Sequence, residues 1–311
     1  RICLAREQLA GVYCAADVTL AMQGLGSYPI SLAGTMVQKQ KYLTKICNGE
    51  ILTTFALTEP EAGSDVSSMS TEAMETADSF VINGVKRFIS NGYAANIAVL
   101  FARTPTEKNP RAVSAFIVEK GMPGFNVHKR IKIIAPHDLV ELKFENCIVP
   151  KENLLGNIGE GLKIALSTLD VFRMSVGAAA MGIGQAALDV AITYAKRRVQ
   201  FGKPIVKFQS TQFKLAEMAT DLDAARALVY RAAIAKDKNG EHIPKVASMA
   251  KYYATEAAFR IVDQALQIHG GLGVVHGSTV ERLYREIRAL RIYEGTTEIQ
   301  KLVIAKALLE E

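Results

Sequence analysis

Helices at the start, a strand-rich middle and a long helical remainder predict an α+β chain with a compact antiparallel β domain placed between helical segments. Three observations carry this. Apolar residues recur at helical spacing before residue 50. Six of the nine prolines then fall between Pro60 and Pro150, beside runs of β-branched and aromatic residues. From Lys151 the helical period returns and persists to the end. The expected divisions are residues 1–50, 51–150 and 151–311.

Residues 1–49 read as helices. The clearest is Ser31 to Asn48, where Leu32, Met36, Tyr42, Leu43 and Ile46 share one face and Asn48-Gly49 is a stop. Strands are expected at 51–57, 80–82, 85–90, 97–101, 113–118, 125–133 and 140–144. Asn83-Gly84 between two of them is a strong hairpin signal. Glu160 to Arg197 is rich in small residues, Gly177, Ala178, Ala179, Ala180, Gly182 and Gly184 among them, which suits closely packed helices. Thr211 to Lys236 places Leu215, Met218, Leu222, Ala225 and Val229 on one face, Pro244 to His269 repeats the pattern, and two shorter helices follow.

Composition narrows the function. The chain has 311 residues, 49% hydrophobic and 22% charged, with a formal charge of +6. The positive excess is thin, with knots at Lys196-Arg197-Arg198 and at Lys39, Lys41 and Lys45, and points to anionic small ligands over nucleic acid. Cys3, Cys14, Cys47 and Cys147 are scattered without a CxxC pair, and the five histidines are dispersed, so neither a disulfide frame nor a metal site is expected. No membrane span and no signal peptide are expected. The chain begins at Arg1 inside a helical pattern, so an N-terminal portion is expected to be missing or processed away.

Three stretches carry chemistry. Arg291-Ile292-Tyr293-Glu294-Gly295-Thr296-Thr297 puts a carboxylate on a turn just before a helix that Thr296 or Thr297 can cap. Alone, Glu294 would read as a surface glutamate beside a helix dipole. At Phe55 to Asp65 a strand breaks into a loop at Pro60 and Gly63, leaving amides and the hydroxyls of Thr58 and Ser64 for a polar ring or carbonyl. Strand alternation sets Phe88 and Ser90 on one face, a ring and a hydroxyl for one flat ligand.

Taken together, Thr58-Glu59-Pro60…Gly63-Ser64-Asp65, Ile89-Ser90-Asn91-Gly92, Arg198…Phe201-Gly202, Gln267…Gly270-Gly271 and Tyr293-Glu294-Gly295-Thr296 resemble the acyl-CoA dehydrogenase family from about residue 20 onward. The resemblance implies N-terminal helices, a central antiparallel β-barrel and a C-terminal four-helix bundle, assembled as a homotetramer or homodimer. It implies a flavoprotein of fatty-acid β-oxidation, cytoplasmic in a prokaryote and in the mitochondrial matrix of a eukaryote, with electron-transferring flavoprotein as acceptor.

The same resemblance implies FAD between barrel and bundle. Phe55, Leu57, Thr58, Gly63, Ser64, Phe88, Ile89 and Ser90 would meet the isoalloxazine. Arg198, Phe201 and Gln209 would meet the pyrophosphate side, and Gln267, Ile268, Gly270 and Gly271 would meet the FAD of a neighbouring protomer. Thr296 and Glu298 complete the cofactor set. Ser64, Asp170, Arg173, Tyr293 and Gly295 would bind acyl-CoA; alone, Asp170 and Arg173 would read as an i,i+3 surface ion pair. Alone, Arg198 would read as a helix-end cation and Gly270-Gly271 as a helix stop.

Glu294 matches the family's base, which removes the proton alpha to a thioester whose carbonyl is polarised by the base's own N–H and a ribityl hydroxyl. The beta hydrogen leaves as hydride to flavin N5, giving a trans-2-enoyl-CoA. The base found elsewhere in some members would stand at Phe172, which cannot act. Phe88 stands where many members have tryptophan, at the side where the acceptor docks. Two rival readings are a flavin-binding scaffold relative and an oxygen-using oxidase.

Overall fold

Alternation along β4 (Ile97–Arg103) and β5 (Val113–Glu119) explains why both are mostly apolar and are buried up to their last residue. In the computed structural model, which describes residues 1–239 and 243–310, the residues from Ile97 to Ala102 are all buried. Successive side chains leave opposite faces of a strand. Ile97, Val99 and Phe101 enter one core with Val113, Ala115 and Ile117, while Ala98, Leu100 and Ala102 enter a second with Phe116 and Val118.

The chain divides into two compact units, Val18–Ile133 with His137–Leu169, and Arg1–Asp17 with Ile134–Pro136 and Asp170–Glu311. The first is a β unit. Besides β4 and β5 it holds β1 (Thr53–Ala56), β2 (Glu72–Glu75), β3 (Ser79–Ser90), β6 (Phe125–Lys132), β7 (Asp138–Pro150) and β8 (Leu154–Leu155). Their order is β6-β7-β3-β2-β4-β5-β8, with β1 also on β4.

Two expectations are corrected here. The sheet is not wholly antiparallel, because β1 and β2 both pair parallel to β4. Nor is a closed barrel formed by pairing among the described residues, since β6 and β8 end the path without meeting.

The hairpin expected at Asn83-Gly84 is also absent. β3 runs straight through it, with a register shift between Ile82 and Gly84 against β7. Gly84 has φ +149°, and a Cβ there would overlap the Thr71 side chain. The Asn83 side-chain carbonyl accepts Asn146 N–H at 2.8 Å across the bulge. Glycine therefore serves close approach within a strand, not a chain reversal.

One helix starts later than its apolar pattern. The helix expected from Ser31 begins at Met36, because α2 (Cys14–Ala33) includes Ser31 and Thr35 opens α3 (Met36–Cys47). Thr35 Oγ1 accepts Gln38 N–H at 3.2 Å and Gln38 Oε1 accepts Thr35 N–H at 2.8 Å, a reciprocal cap. Gly49 at φ +75° follows as the stop. Ile30, Tyr42 and Ile46 cover the first β core.

The helical unit contains α1 (Ile2–Val12), α4 (Gly161–Arg197) from Asp170 onward, α5 (Gln209–Asn239), α6 (Pro244–His269), α7 (Thr279–Leu290) and α8 (Thr297–Leu309). Small residues set the spacing. A Cβ on Gly182 would overlap the Glu7 carbonyl oxygen, so α1 lies backbone to backbone on α4. By length and composition α4 is apolar enough to cross a bilayer, with mean hydropathy 1.4, which the sequence reading passed over; 67% of that window is buried inside the fold, as in a core helix.

Candidate active site

The turn before α8 is built from strained backbone. Glu294 has φ +55° and Gly295 φ +89°. A non-glycine residue in this region costs about 1–3 kcal/mol and persists only where its surroundings impose it. They do so here through carbonyl anchors. Gln300 Nε2 donates to the Glu294 carbonyl at 3.2 Å and to the Gly295 carbonyl at 3.0 Å, and Lys251 Nζ donates to the latter at 2.7 Å. Glycine suits position 295 because φ +89° is strained for any side chain, and a Cβ would also press on Gln300 Nε2 at 2.6 Å. Thr296, not Thr297, caps α8, accepting Ile299 N–H at 3.3 Å. Thr297 Oγ1 instead donates to Glu256 at 2.6 Å, and Glu256 is held by Arg291 at 2.7 Å.

Glu294 is half-buried, and its Oε2 is buried with no hydrogen-bond partner among the described residues. Burial pushes its carboxyl up to about 7, against the opposing pull of Arg6, Lys251 and Arg173. Its backbone N–H donates to no described residue. A carboxylate near neutrality beside a free amide is an arrangement for removing a proton next to a polarised carbonyl.

Charged pairs surround this carboxylate. Arg6 is 1% exposed; its Nε and Nη2 donate to Asp17 at 2.8 and 2.9 Å, and its Nη1 donates to Ser175 at 2.8 Å. Arg173 donates to Asp170 at 2.8 Å, and both are buried, so this i,i+3 pair is not on the surface. Arg6, Asp17, Lys251 and Gln300 escaped the sequence reading. Lys251 alone left a signal: it lies on the stripe of α6 that buries Ala247, Ala250, Ala254 and Ala258.

In the β unit, the loop after β1 is fixed by a sealed ion pair. Lys86 Nζ donates to Glu59 at 2.7 Å and to the Leu57 carbonyl at 2.9 Å. Burial alone would raise the Glu59 carboxyl, but Lys86, Thr71 and Ser70 outweigh it and hold it down to about 2. Arg87 N–H donates to the Thr58 carbonyl at 2.8 Å. A bulge between Lys86 and Ile89 then turns Phe88 to φ +59° and leaves its ring 52% exposed. Ile89 points into the core and Ser90 is half-buried. Leu57 also puts its side chain in a core, so it and Ile89 could meet a ligand only through backbone, while Phe55 packs against that core only partly buried.

The hydroxyls of Thr58, Ser64 and Ser90 have no described partner, and Gly63 stands in open space. With the exposed Phe88 ring, this donor set fits the edge and face of a flavin.

In the helical unit, Arg198 is exposed and its guanidinium has no described hydrogen bond or ion pair, as an arginine kept for an anion would be. It leads into the hairpin of β9 (Val199–Gln200) and β10 (Lys203–Pro204), whose turn holds Phe201 at φ +52° and 92% exposed. Phe201, Gln267 and Ile268 line one groove of about 390 Å³ with Phe208 and Lys214. Gln209 is exposed at the start of α5, Glu298 is exposed on α8, and Gly270 and Gly271 have nothing within 4 Å of a built Cβ. Bare backbone, an unpaired guanidinium and a groove lined by aromatic rings and one lysine fit a dinucleotide.

Comparison with known proteins decides the family. Sequence profiles for the N-terminal, middle and C-terminal domains of acyl-CoA dehydrogenase match residues 1–50, 54–147 and 159–309. The chain belongs to the acyl-CoA dehydrogenase family. An acyl-CoA dehydrogenase of Bacillus subtilis (strain 168) is 44% identical over 309 residues, 98% of this chain and 81% of the relative. Subunit CarC of the caffeyl-CoA reductase–Etf complex of Acetobacterium woodii is 44% identical over 316 residues, 100% of this chain and 82% of the relative. The solved butyryl-CoA dehydrogenase of Megasphaera elsdenii superimposes with a TM-score of 0.95 at 43% identity, covering 99% of this chain and 81% of that one. Acyl-CoA dehydrogenases are FAD-dependent oxidoreductases acting on CH–CH groups, and the residues above fit that cofactor.

Proposed function

We propose that this acyl-CoA dehydrogenase family member oxidises an acyl-CoA thioester to its trans-2-enoyl-CoA, with Glu294 as the base. The observation that carries the reading is a half-buried carboxylate near pKa 7 on a strained turn with its own N–H free. Glu294 takes the proton alpha to the thioester, its N–H polarises the carbonyl oxygen, and the beta hydrogen departs as hydride. Bound FAD supplies the hydride acceptor. Asp170 and Arg173 bind the CoA portion, with Ser64, Tyr293 and Gly295 along the substrate. Arg198 holds the pyrophosphate, while Thr58 and Ser90 donate to the flavin ring and Phe88 covers it.

Assembly as a homotetramer or homodimer, and electron-transferring flavoprotein as acceptor, belong to the same reading; the Etf complex named for the Acetobacterium relative supports the acceptor. Anaerobic mixing of FAD-loaded protein with a panel of acyl-CoAs tests it by bleaching of the flavin absorbance. No bleaching with any chain length would sink it.

One observation favours a second direction of use. A carboxyl near 7 is half protonated at neutral pH, so Glu294 gives a proton as readily as it takes one. Reduction of a conjugated enoyl-CoA is then the same reaction run backward, with bound reduced FAD supplying the hydride to the beta carbon and Glu294 the proton to the alpha carbon, in keeping with the reductase named among the relatives.

A further inference from the structure

Three cations act on Glu294: Arg6 of α1, Arg173 of α4 and Lys251 of α6, with Asp17 as the opposing anion. Two arrive already neutralised, Arg6 by Asp17 and Arg173 by Asp170. Lys251 differs. Its side chain is fully buried, and among the described residues its ammonium makes one hydrogen bond, to an uncharged carbonyl, that of Gly295. The carboxylates acting on it besides Glu294 are Glu256, already engaged by Arg291 and Thr297, and the exposed Glu298. After pairing, Lys251 and Glu294 are therefore the cation and the anion left over.

A lysine kept in an alanine-lined stripe pays a large desolvation cost, which is tolerated where its charge is used. Its one bond is to the turn that carries the base. With Gln300 it fastens the Gly295 carbonyl, and the Glu294 N–H is left without an acceptor among the described residues.

We propose that Lys251 is a positioning residue for Glu294: its ammonium clamps the Gly295 carbonyl, holding the left-handed turn, and its charge favours the ionised carboxylate for proton removal. This rests on Glu294 being the base. Burial pushes Lys251 down to about 8 and Glu294 up to about 7, and each charge opposes the other's shift. Removing the positive charge moves the Glu294 midpoint upward.

Two variants separate clamp from charge. Lys251→Gln keeps an N–H donor for the carbonyl and loses the charge; Lys251→Met loses both. Each is measured as FAD-loaded full chain for the pH profile of flavin reduction by acyl-CoA. The carboxylic-acid infrared band of Glu294, identified by difference against Glu294→Gln, is titrated independently of turnover. Both variants are expected to raise the midpoint and the acid limb by about one unit or more. Lys251→Met alone should also lower the high-pH plateau roughly ten- to a hundredfold, as a misaimed base does. KM for acyl-CoA should hold in Lys251→Gln.

A midpoint unmoved in Lys251→Gln overturns the proposal and leaves Lys251 as packing, even if Lys251→Met does not fold. Flavin reduction at near wild-type rate in Glu294→Gln would instead overturn the base assignment, and this role with it.

Discussion

The ammonium of Lys86 lies 2.7 Å from the carboxylate of Glu59, and both side chains are sealed from solvent. Glu59 also accepts Ser70 N–H at 2.6 Å, Ser70 Oγ at 2.8 Å and Thr71 N–H at 3.0 Å. One buried carboxylate thus ties the loop after β1 to β3 and to the segment leading into β2. Breaking such a pair leaves an uncompensated buried charge. Lys86→Met should destabilise the protein by about 3–5 kcal/mol, read as a lower denaturation midpoint. A midpoint equal to wild type would mean the loop has other supports.

The same pair predicts an acid limb. Glu59 is held down to about 2, below the unfolded value of about 4.3. Its contribution is present above that unfolded value and is lost as pH falls toward 2, because the unfolded chain binds the proton first. Stability measured from neutral pH downward should fall less steeply in Glu59→Gln than in wild type, from a lower starting value.

Glu294 has the opposite sign. Its folded value, about 7, lies above the unfolded one, so the stability linked to its protonation is present at low pH and lost as pH rises through 7. Glu294→Gln should therefore gain thermal stability relative to wild type as pH rises from about 4 to about 7, and hold that gain above. It should retain FAD and acyl-CoA while flavin reduction drops by orders of magnitude. No relative stabilisation at alkaline pH would show that the carboxylate is not held near neutrality.

Arg198→Ala should weaken FAD retention. A charge-assisted bond to a pyrophosphate is worth roughly 1.5–3 kcal/mol, or about ten- to a hundredfold in affinity. The Arg198 side chain has no described partner to lose, and its backbone bonds to Tyr194 and Ile205 survive in alanine, so the fold itself should be untouched. Unchanged FAD affinity in the purified variant would reduce this arginine to a helix-end cation.

Phe88→Trp should separate the two half-reactions. Either ring offers a flat apolar face at this exposed, left-handed position, so reduction of the flavin by acyl-CoA should change little. Reoxidation by electron-transferring flavoprotein should change more, because the ring is half out in solvent where a partner would meet it. Stopped-flow comparison of both steps checks this, and equal reoxidation rates would make the ring size neutral.

Much of the fold was legible because it is locally determined. Helix α6 begins at Pro244 and is followed by Gly270, as the pattern reads, since a proline at the first turn and a glycine beyond the last suit a helix without outside help. The residues of β4 announce a strand buried on both faces. Glu294, Gly295 and Thr296 announce a turn and a cap. Where a local signal failed, a distant neighbour overrode it: Gly84 looks like a hairpin residue, yet Thr71 requires the missing Cβ there. Strand β2, Glu72–Glu75, has two glutamates in four residues and becomes a strand by pairing with β3 and, at Glu72, with β4.

The sequence by itself determined most of the element types, the family and the carboxylate proposed as the base, since each is written in neighbouring residues. The tertiary structure decided the parallel pairing of β1 and β2 with β4, and the charge balance around Glu294. Arg6, Asp17, Asp170, Arg173 and Lys251 lie far from that glutamate in the chain. Burial and Coulomb interactions depend on separation in space and on exclusion of water, so which of these cations is neutralised, and which is left for Glu294, is settled only once the helices have packed.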